Sequence, residues 1–195
     1  IPTKDRGAVS NRTGRFEKQT GEAIHDGWVR DEELLSPPKL QTTLTKDTTK
    51  TIIARNTSPD VPFDRSINPY RGCEHGCVYC FARPTHAYLG LSPGLDFETK
   101  LLYKPEAARL LERELRKSSY QCKTMAMGTN TDPYQPVEKT LRLTRGILEV
   151  LSAFNHPVGI VTKSALVLRD LDILGPMAEK GLAQVYVSVT TLDHR

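Results

Sequence analysis

The sequence lacks the features that mark membrane and secreted proteins. Its 195 residues include only four cysteines and one tryptophan, and no apolar run approaches the roughly 18 residues that span a bilayer. Residues 1–11 are polar and do not resemble a signal peptide. A chain of this length can bury one core and carry an appended tail. These absences predict a soluble cytoplasmic protein.

A concentrated basic block is also missing. The formal net charge is +4, and the excess of lysine and arginine is spread along the chain. Such a charge permits an anionic partner, for example a nucleic acid, without requiring one. It gives no information about oligomeric state.

Three of the four cysteines are crowded into one short segment. Cys73, Cys77 and Cys80 have C-x3-C-x2-C spacing within eight residues. Structural zinc and iron–sulfur sites normally take four protein ligands, whereas a catalytic centre keeps one position open. The crowding therefore indicates a metal centre with an open position, in a reducing cytoplasm, rather than a disulfide framework.

The residue types leave the metal open. Soft thiolates bind zinc, copper(I) and iron–sulfur clusters. A zinc site could take its fourth ligand from His75 inside the loop or from His86 just beyond it. A structural cluster in a nucleic-acid-binding protein is a third hypothesis. Cys122 begins a predicted strand, and we expect it to be a small core residue.

The chain divides into an arm and a domain. Residues 1–47 are rich in charge, glycine and proline without a sustained period, which predicts an irregular or disordered arm with Trp28 as its one bulky anchor. Residues 48–195 form the predicted domain, with a first short strand at residues 50–55. The chain has no initiator methionine, and it ends while the alternation of predicted strands and helices is still continuing. We therefore expect it to be a fragment.

Helical and strand patterns alternate after the cysteine loop. Parallel βα units with right-handed crossovers have this pattern. The sequence therefore predicts a parallel sheet covered by helices. The predicted segments are a helix opened by Pro105, a strand at 123–127, a helix at 137–151, a strand at 158–162, a helix at 166–179 and a strand at 184–189.

Polar residues follow the predicted strands. They occur at residues 128–136, 162–164 and 188–193. In parallel sheets, ligands lie beyond the carboxyl ends of the strands. These segments are therefore expected to line one rim that could bind amino, carboxylate and ribose hydroxyl groups.

The cysteine motif resembles the signature of the radical S-adenosylmethionine (radical SAM) enzymes, with Tyr79 as the aromatic residue before the third cysteine. The segments at 130–136, 162–164 and 188–190 are similar to the spore photoproduct lyase-like branch of that superfamily. The resemblance covers residues 66–193. It implies a partial (β/α)6 barrel, TIM-like in kind and cut off after about the fourth strand.

The resemblance also implies the cofactors. Cys73, Cys77 and Cys80 would hold three irons of a [4Fe–4S] cluster, and the fourth iron would chelate S-adenosylmethionine. Reductive cleavage of that cofactor gives methionine and a 5′-deoxyadenosyl radical, which takes a hydrogen atom from a substrate. An electron donor such as a flavodoxin or ferredoxin would be the partner.

Five further positions match cofactor-binding positions of the family. The resemblance places Tyr79 near the adenine and amino group of the cofactor, and Lys163 against its carboxylate. Ser188 would bind the carboxylate or the ribose. Thr129 and Asn130 stand where other members bind the amino group through a Gly-Gly-Glu-like turn, which this sequence lacks.

Asp132, Tyr134 and Gln135 would line the substrate side of the rim, by the same resemblance. Spore photoproduct lyase uses a cysteine near the end of the second strand, and residues 127–130 contain none. This departure argues against thymine-dimer reversal, and the substrate stays open.

Overall fold

The computed structural model describes residues 7–18 and 40–192, which form two compact units. The first, here called the cysteine unit, comprises residues 7–18, 40–45 and 71–102. The second, the sheet unit, comprises residues 46–70 and 103–192. No helix in these ranges has the length and hydrophobicity needed to cross a membrane.

The strands of the described residues form two sheets. One has three strands in the order β1–β5–β4, and the other has five in the order β2–β3–β6–β7–β8. The strands are β1 (Thr43–Lys46), β2 (Ile53–Arg55), β3 (Arg65–Ile67), β4 (Tyr70–Arg71), β5 (Lys100–Tyr103), β6 (Met125–Met127), β7 (Val158–Thr162) and β8 (Ala183–Val187).

The five-stranded sheet is parallel from β3 to β8. Ser66 pairs with Ala126, and Val158 pairs with both Met125 and Ala183. The predicted alternation of strand and helix is thus confirmed for this sheet. Among the described residues the sheet does not close, so the partial (β/α)6 barrel stays a prediction.

The prediction of a wholly parallel sheet starting at residues 50–55 was wrong. Strand β2 pairs antiparallel with β3, and the first parallel strand is β3. Only residues 56–64 connect the two strands, and Asn56 N–H donates to the Asp64 carbonyl at 2.8 Å. So short a connection makes a hairpin, because a parallel pair needs a crossover of about a dozen residues.

Five α-helices occur in the described residues, with 3₁₀ helices at Arg83–Leu89 and Ala165–Asp170. The sheet-unit helices bury residues spaced three and four apart, as an amphipathic helix requires. The α-helices are α1 (Asp96–Thr99), α2 (Ala107–Leu115), α3 (Glu138–Leu141), α4 (Leu143–Ala153) and α5 (Leu171–Glu179).

The helix predicted at 137–151 is divided into α3 and α4. Arg142 lies between them with φ of 53°, a left-handed conformation that no continuous helix contains. The Glu138 carboxylate accepts the Thr144 N–H at 3.1 Å, which satisfies a donor at the start of α4. The side-chain periodicity continues across the break, so it could not reveal it.

The predicted arm contains ordered structure. Residues 7–18 form no helix or strand but pack within the cysteine unit, and β1 begins at Thr43. Trp28 lies outside the described residues. The domain boundary at residue 47 stays a prediction. Cys122 is exposed rather than in the core, because β6 begins only at Met125 and the residues before it lie at the surface.

Candidate metal centre

The cysteine loop, residues 72–82, leaves β4 and wraps through a series of turns. Gly72 and Gly76 have φ of 80° and 61°, in the left-handed region that glycine enters without strain. A Cβ on Gly72 would lie 2.8 Å from the Phe97 carbonyl oxygen, and one on Gly76 would lie 2.7 Å from Glu98 Oε2. Glycine at both positions lets the loop approach helix α1 closely.

Backbone hydrogen bonds fix the cysteines. Cys73 N–H donates to the Phe97 carbonyl at 2.9 Å, and Cys80 N–H donates to the Cys77 carbonyl at 3.1 Å. None of the three is in a disulfide; Cys73 is buried, while Cys77 and Cys80 are half-buried. The thiols therefore lie on a hydrogen-bonded loop, and those of Cys77 and Cys80 are partly accessible to solvent.

Arg83 is bonded to several carbonyls of this loop and its neighbour. Its Nε donates to the Cys77 carbonyl at 2.9 Å, and Nη2 donates to the Gly76 carbonyl at 3.0 Å. Its Nη1 donates to the carbonyls of Pro93 and Gly94 at 3.2 and 3.1 Å. Nη2 also forms an ion pair with Glu98. A single guanidinium thus joins two segments of the cysteine unit.

The groups that could add a fourth ligand to the three cysteines differ in their existing contacts. No three His, Cys, Asp or Glu side chains within residues 7–18 and 40–192 converge where one metal ion could bind. The zinc hypothesis needs such convergence on His75 or His86, and His86 Nε2 is already bonded to the Lys100 carbonyl at 2.9 Å. A [4Fe–4S] cube takes each thiolate on a different iron, so three separate thiols suit it.

Burial and charge shape the surroundings of the loop. His86 is fully buried with its ring edge-on to Phe97, and burial lowers its pKa. Burial alone would raise the pKa of Asp96, but hydrogen bonds from the Ser92 N–H, Lys100 and Asn11 lower it overall. Asp96 is thus a paired carboxylate near the loop.

The outer side of the loop is apolar and exposed. Val78, Tyr79 and Phe81 are 70%, 67% and 77% exposed. Tyr79, the predicted cofactor contact in this unit, is therefore accessible to a ligand. Its role stays a prediction.

In the sheet unit, Asn68 organises the end of β6. Its side-chain amide donates to Thr129 Oγ1 at 3.2 Å, and its Oδ1 accepts the Asn130 N–H at 3.1 Å. Thr129 is half-buried and Asn130 exposed. Their proposed contact with the amino group stays a prediction, whereas Asn68 is a residue that sequence reasoning missed.

Asp132 joins the ends of β6 and β7. Its Oδ1 accepts the Thr162 hydroxyl at 2.7 Å and the Tyr134 N–H at 2.9 Å, and its Oδ2 accepts the Lys163 N–H at 2.9 Å. The predicted rim of strand ends is thus present for these two strands. Asp132 holds the backbone that carries Lys163, and its predicted contact with a substrate stays a prediction.

The other predicted positions differ in exposure. Tyr134 and Gln135 are fully buried, and their predicted contact with a substrate stays a prediction. Burial and the neighbouring Asp170 raise the pKa of the Tyr134 phenol. Ser188 is exposed, with its N–H bonded to the Thr162 carbonyl at 2.8 Å, and Lys163 is half-buried.

Arg83 and Glu98 were missed by sequence reasoning. Arg83 stands three residues after Cys80, the third cysteine of the loop, and that proximity was the one available signal. Glu98 is eighteen residues beyond Cys80 in a segment without a motif. Its burial depends on the fold, and no local pattern indicates it.

Comparison with known sequences identifies relatives for most of this chain. The family model of the Radical SAM superfamily matches residues 67–195. Uncharacterized protein Rv2578c of Mycobacterium tuberculosis is 45% identical over 133 residues, which are 68% of this chain and 39% of that protein. Uncharacterized protein MJ0683 of Methanocaldococcus jannaschii is 32% identical over 107 residues, 55% of this chain and 38% of that protein.

The match covers only part of each relative. The chain spans about two fifths of the length of these curated relatives. No solved structure matches it significantly. The comparisons therefore establish the family of the segment that contains the cysteine loop, residues 67–195.

Proposed function

The chain belongs to the radical SAM superfamily, whose members are enzymes, and we propose that it holds a [4Fe–4S] cluster on Cys73, Cys77 and Cys80. The superfamily generally uses such a cluster with S-adenosylmethionine. When bound and reduced by an electron donor, the cluster would pass one electron to the sulfonium of S-adenosylmethionine, whose carbon–sulfur bond would break to give methionine and a 5′-deoxyadenosyl radical able to take a hydrogen atom from substrate.

One observation carries the proposal. Three cysteines outside any disulfide lie on one loop with C-x3-C-x2-C spacing, inside the segment that the Radical SAM family model matches. That arrangement suits three irons of a cube, with one iron left for a small ligand. The zinc alternative has no comparable support.

The residues of the loop have distinct parts in this proposal. The cysteines bind iron, and Phe97 and Ala82 pack against Cys73 and exclude water from its side. Tyr79 is the exposed contact for the cofactor. The protein thus contributes binding, orientation and a dry environment, as cofactor enzymes generally do.

The finer assignments are also proposals. The spore photoproduct lyase-like branch is supported by the strand-end segments 130–136, 162–164 and 188–190. The absence of cysteine at residues 127–130 favours a lyase-like reaction other than thymine-dimer reversal. A cytoplasmic setting and a flavodoxin or ferredoxin as electron donor agree with the chemistry. A nucleic-acid substrate is compatible with the mild positive charge.

Anaerobic reconstitution tests the proposal directly. The full-length protein should bind about four irons per chain, as the cluster formula requires, and should release 5′-deoxyadenosine when reduced with S-adenosylmethionine. Changing Cys73, Cys77 and Cys80 together to Ala should abolish both. Cys122→Ala is the matched control, because Cys122 is exposed in the sheet unit and should not affect iron. Undiminished product from the triple variant would overturn the assignment.

Lys163 is tested separately. Lys163→Ala should weaken binding of S-adenosylmethionine, measured by equilibrium dialysis, while leaving the iron content unchanged. The control is Lys123→Ala. Lys123 precedes β6 and pairs with Asp64, so it lies at the amino ends of the strands, whereas Lys163 follows the carboxyl end of β7. Equal affinity in the two variants would remove Lys163 from the cofactor site.

A further inference from the structure

Glu98 is a fully buried carboxylate of the cysteine unit. It accepts the Gly7 N–H at 3.0 Å and the Ala8 N–H at 2.8 Å, and it pairs with the guanidinium of Arg83. A buried charge is tolerated only when it is paired and hydrogen-bonded. Here the donors are two backbone N–H groups of the arm and the guanidinium of Arg83, which stands three residues after Cys80.

Arg83 extends these bonds to the cysteine loop itself. It is bonded to the carbonyls of Gly76 and Cys77, which lie between the first and third metal-binding positions. The planar guanidinium offers five N–H donors in a rigid fork, and a lysine ammonium offers three on a flexible stem. The pattern of acceptors therefore depends on arginine in particular.

The arm approaches the loop closely. A Cβ added to Gly7 would lie 1.6 Å from the Gly76 carbonyl oxygen, so any larger residue there must displace one of the two backbones. Asn11 holds the same arm farther along, since its amide and Asp96 exchange two hydrogen bonds at 2.9 and 3.0 Å. The arm is thus docked at more than one point.

We propose that Glu98 and Arg83 are positioning residues that hold the cysteine loop in its cluster-binding conformation, with residues 7 and 8 of the arm completing the arrangement. The inference rests on the proposed function, because it concerns the same cluster. Glu98 acts through Arg83, and Arg83 acts through the backbone of Gly76 and Cys77. Neither residue is a ligand to the metal.

The test compares how firmly the variants retain iron. The full-length protein is reconstituted with each of three substitutions, Arg83→Lys, Glu98→Gln and Gly7→Ala. Two quantities are measured: the rate at which a chelator removes iron, and the electron paramagnetic resonance spectrum of the reduced cluster. Each variant should lose iron about 10- to 100-fold faster, the range typical of outer-shell partners of metal ligands. The spectrum should also broaden, because the loop holds the cysteines less uniformly.

Matched controls come from an exposed ion pair on α2. Arg116 and Glu112 are 67% and 43% exposed and pair at 2.7 Å in the sheet unit. Arg116→Lys and Glu112→Gln should retain iron at the wild-type rate. Gly7→Ala leaves the side chains of the cysteine loop, of Arg83 and of Glu98 unchanged. It therefore distinguishes an effect of the docked arm from an effect of changing Arg83 or Glu98.

The outcomes separate this inference from the function on which it rests. Failure of wild type to bind iron would overturn both. Wild type that binds iron and cleaves the cofactor, beside three variants with wild-type iron loss and spectrum, would overturn only the positioning role. Should Glu98→Gln not fold, Arg83→Lys and Gly7→Ala decide. Variants that melt earlier but keep the wild-type spectrum and iron retention would assign a merely structural role and contradict the proposal.

Discussion

The two units of this chain are stabilised in different ways. The sheet unit buries a continuous apolar core of 17 residues along its strands and helices, including Leu111, Met125 and Leu148. In the described part of the cysteine unit, the buried apolar cluster comprises Cys73, Ala82 and Phe97, and polar contacts to buried carboxylates accompany it. Among the described residues, the apolar cluster of the sheet unit is thus the larger of the two.

A small core usually needs another source of stability, such as a metal or a disulfide. The cysteine unit has no disulfide among its described cysteines, and its buried Glu98 and Asp96 are satisfied through the arm. Metal binding is therefore expected to contribute to the folding of this unit, because an unfolded chain rarely contains a preformed metal site. The sheet unit should be independent of the metal.

Removal of iron should give the largest difference between the units. Chelation of the reconstituted protein should make residues 71–102 the first site of limited proteolysis, while the sheet unit resists, because only the cysteine unit loses bonds to the metal. Mass spectrometry of the fragments locates the cuts. Equal resistance with and without iron would show that polar contacts alone suffice for the cysteine unit.

Matched truncations of one buried side chain in each unit should differ in their effect on iron. Leu148→Ala should lower the free energy of unfolding by about 2–5 kcal/mol, and Phe97→Ala by about 3–5 kcal/mol, through lost burial and the cavity left. Only Phe97→Ala should reduce iron retention, because Phe97 packs on Cys73. Denaturant unfolding and iron analysis measure the two effects. Loss of iron from folded Leu148→Ala would mean that the units are not independent.

A buried ionic network in the sheet unit should have a smaller effect. Glu138 is fully buried and bonds Arg169 at 2.9 Å, and Arg169 also pairs with buried Asp170. Glu138→Gln should cost about 1.5–3 kcal/mol of unfolding free energy, the usual contribution of a hydrogen bond to a charged group. Glu112→Gln on the exposed face should cost at most about 1 kcal/mol. Equal costs would mean that Glu138 contributes no more than a surface pair.

The difference between the units also explains what the sequence could predict. Strand β7 matches its predicted residues, because Val158–Thr162 has turn signals on both sides and a buried apolar pattern. The three cysteines were identified by spacing alone. Periodicity and motif spacing are local signals, and these elements depend on local sequence.

Contacts between distant residues were not predictable in this way. Glu98 meets Gly7 across 91 positions, and Asn68 meets Thr129 across 61. Tyr134 and Gln135 were predicted at a rim but are buried, because the turn that follows β6 packs its side chains inward. The direction of β2 depended on counting the connection to β3. The long-range bonds and the buried side chains follow from tertiary packing, which no single segment encodes, whereas the length of the β2–β3 connection was a local signal.

The smallest expected effect is the pH dependence that His156 contributes in the sheet unit. His156 is buried, and burial, together with the charge of Arg65, lowers its pKa although the Pro157 carbonyl opposes this. The carbonyl can only accept, so Nδ1 donates to it at 3.0 Å and Nε2 accepts the Tyr120 hydroxyl at 2.7 Å. The neutral ring thus satisfies both partners, and a protonated ring would lose the second bond.

The sign of this effect follows from the lowered pKa. As pH falls below about 6.5, the unfolded chain binds a proton at His156 that the folded chain does not, so stability present above that pH decreases until the folded pKa is reached. His156→Gln should flatten the dependence between about pH 6.5 and 5, before carboxylates begin to titrate. Denaturant midpoints across this range measure it. An unchanged slope in His156→Gln would place the titrating group elsewhere, with buried His86 of the cysteine unit as the next residue to test.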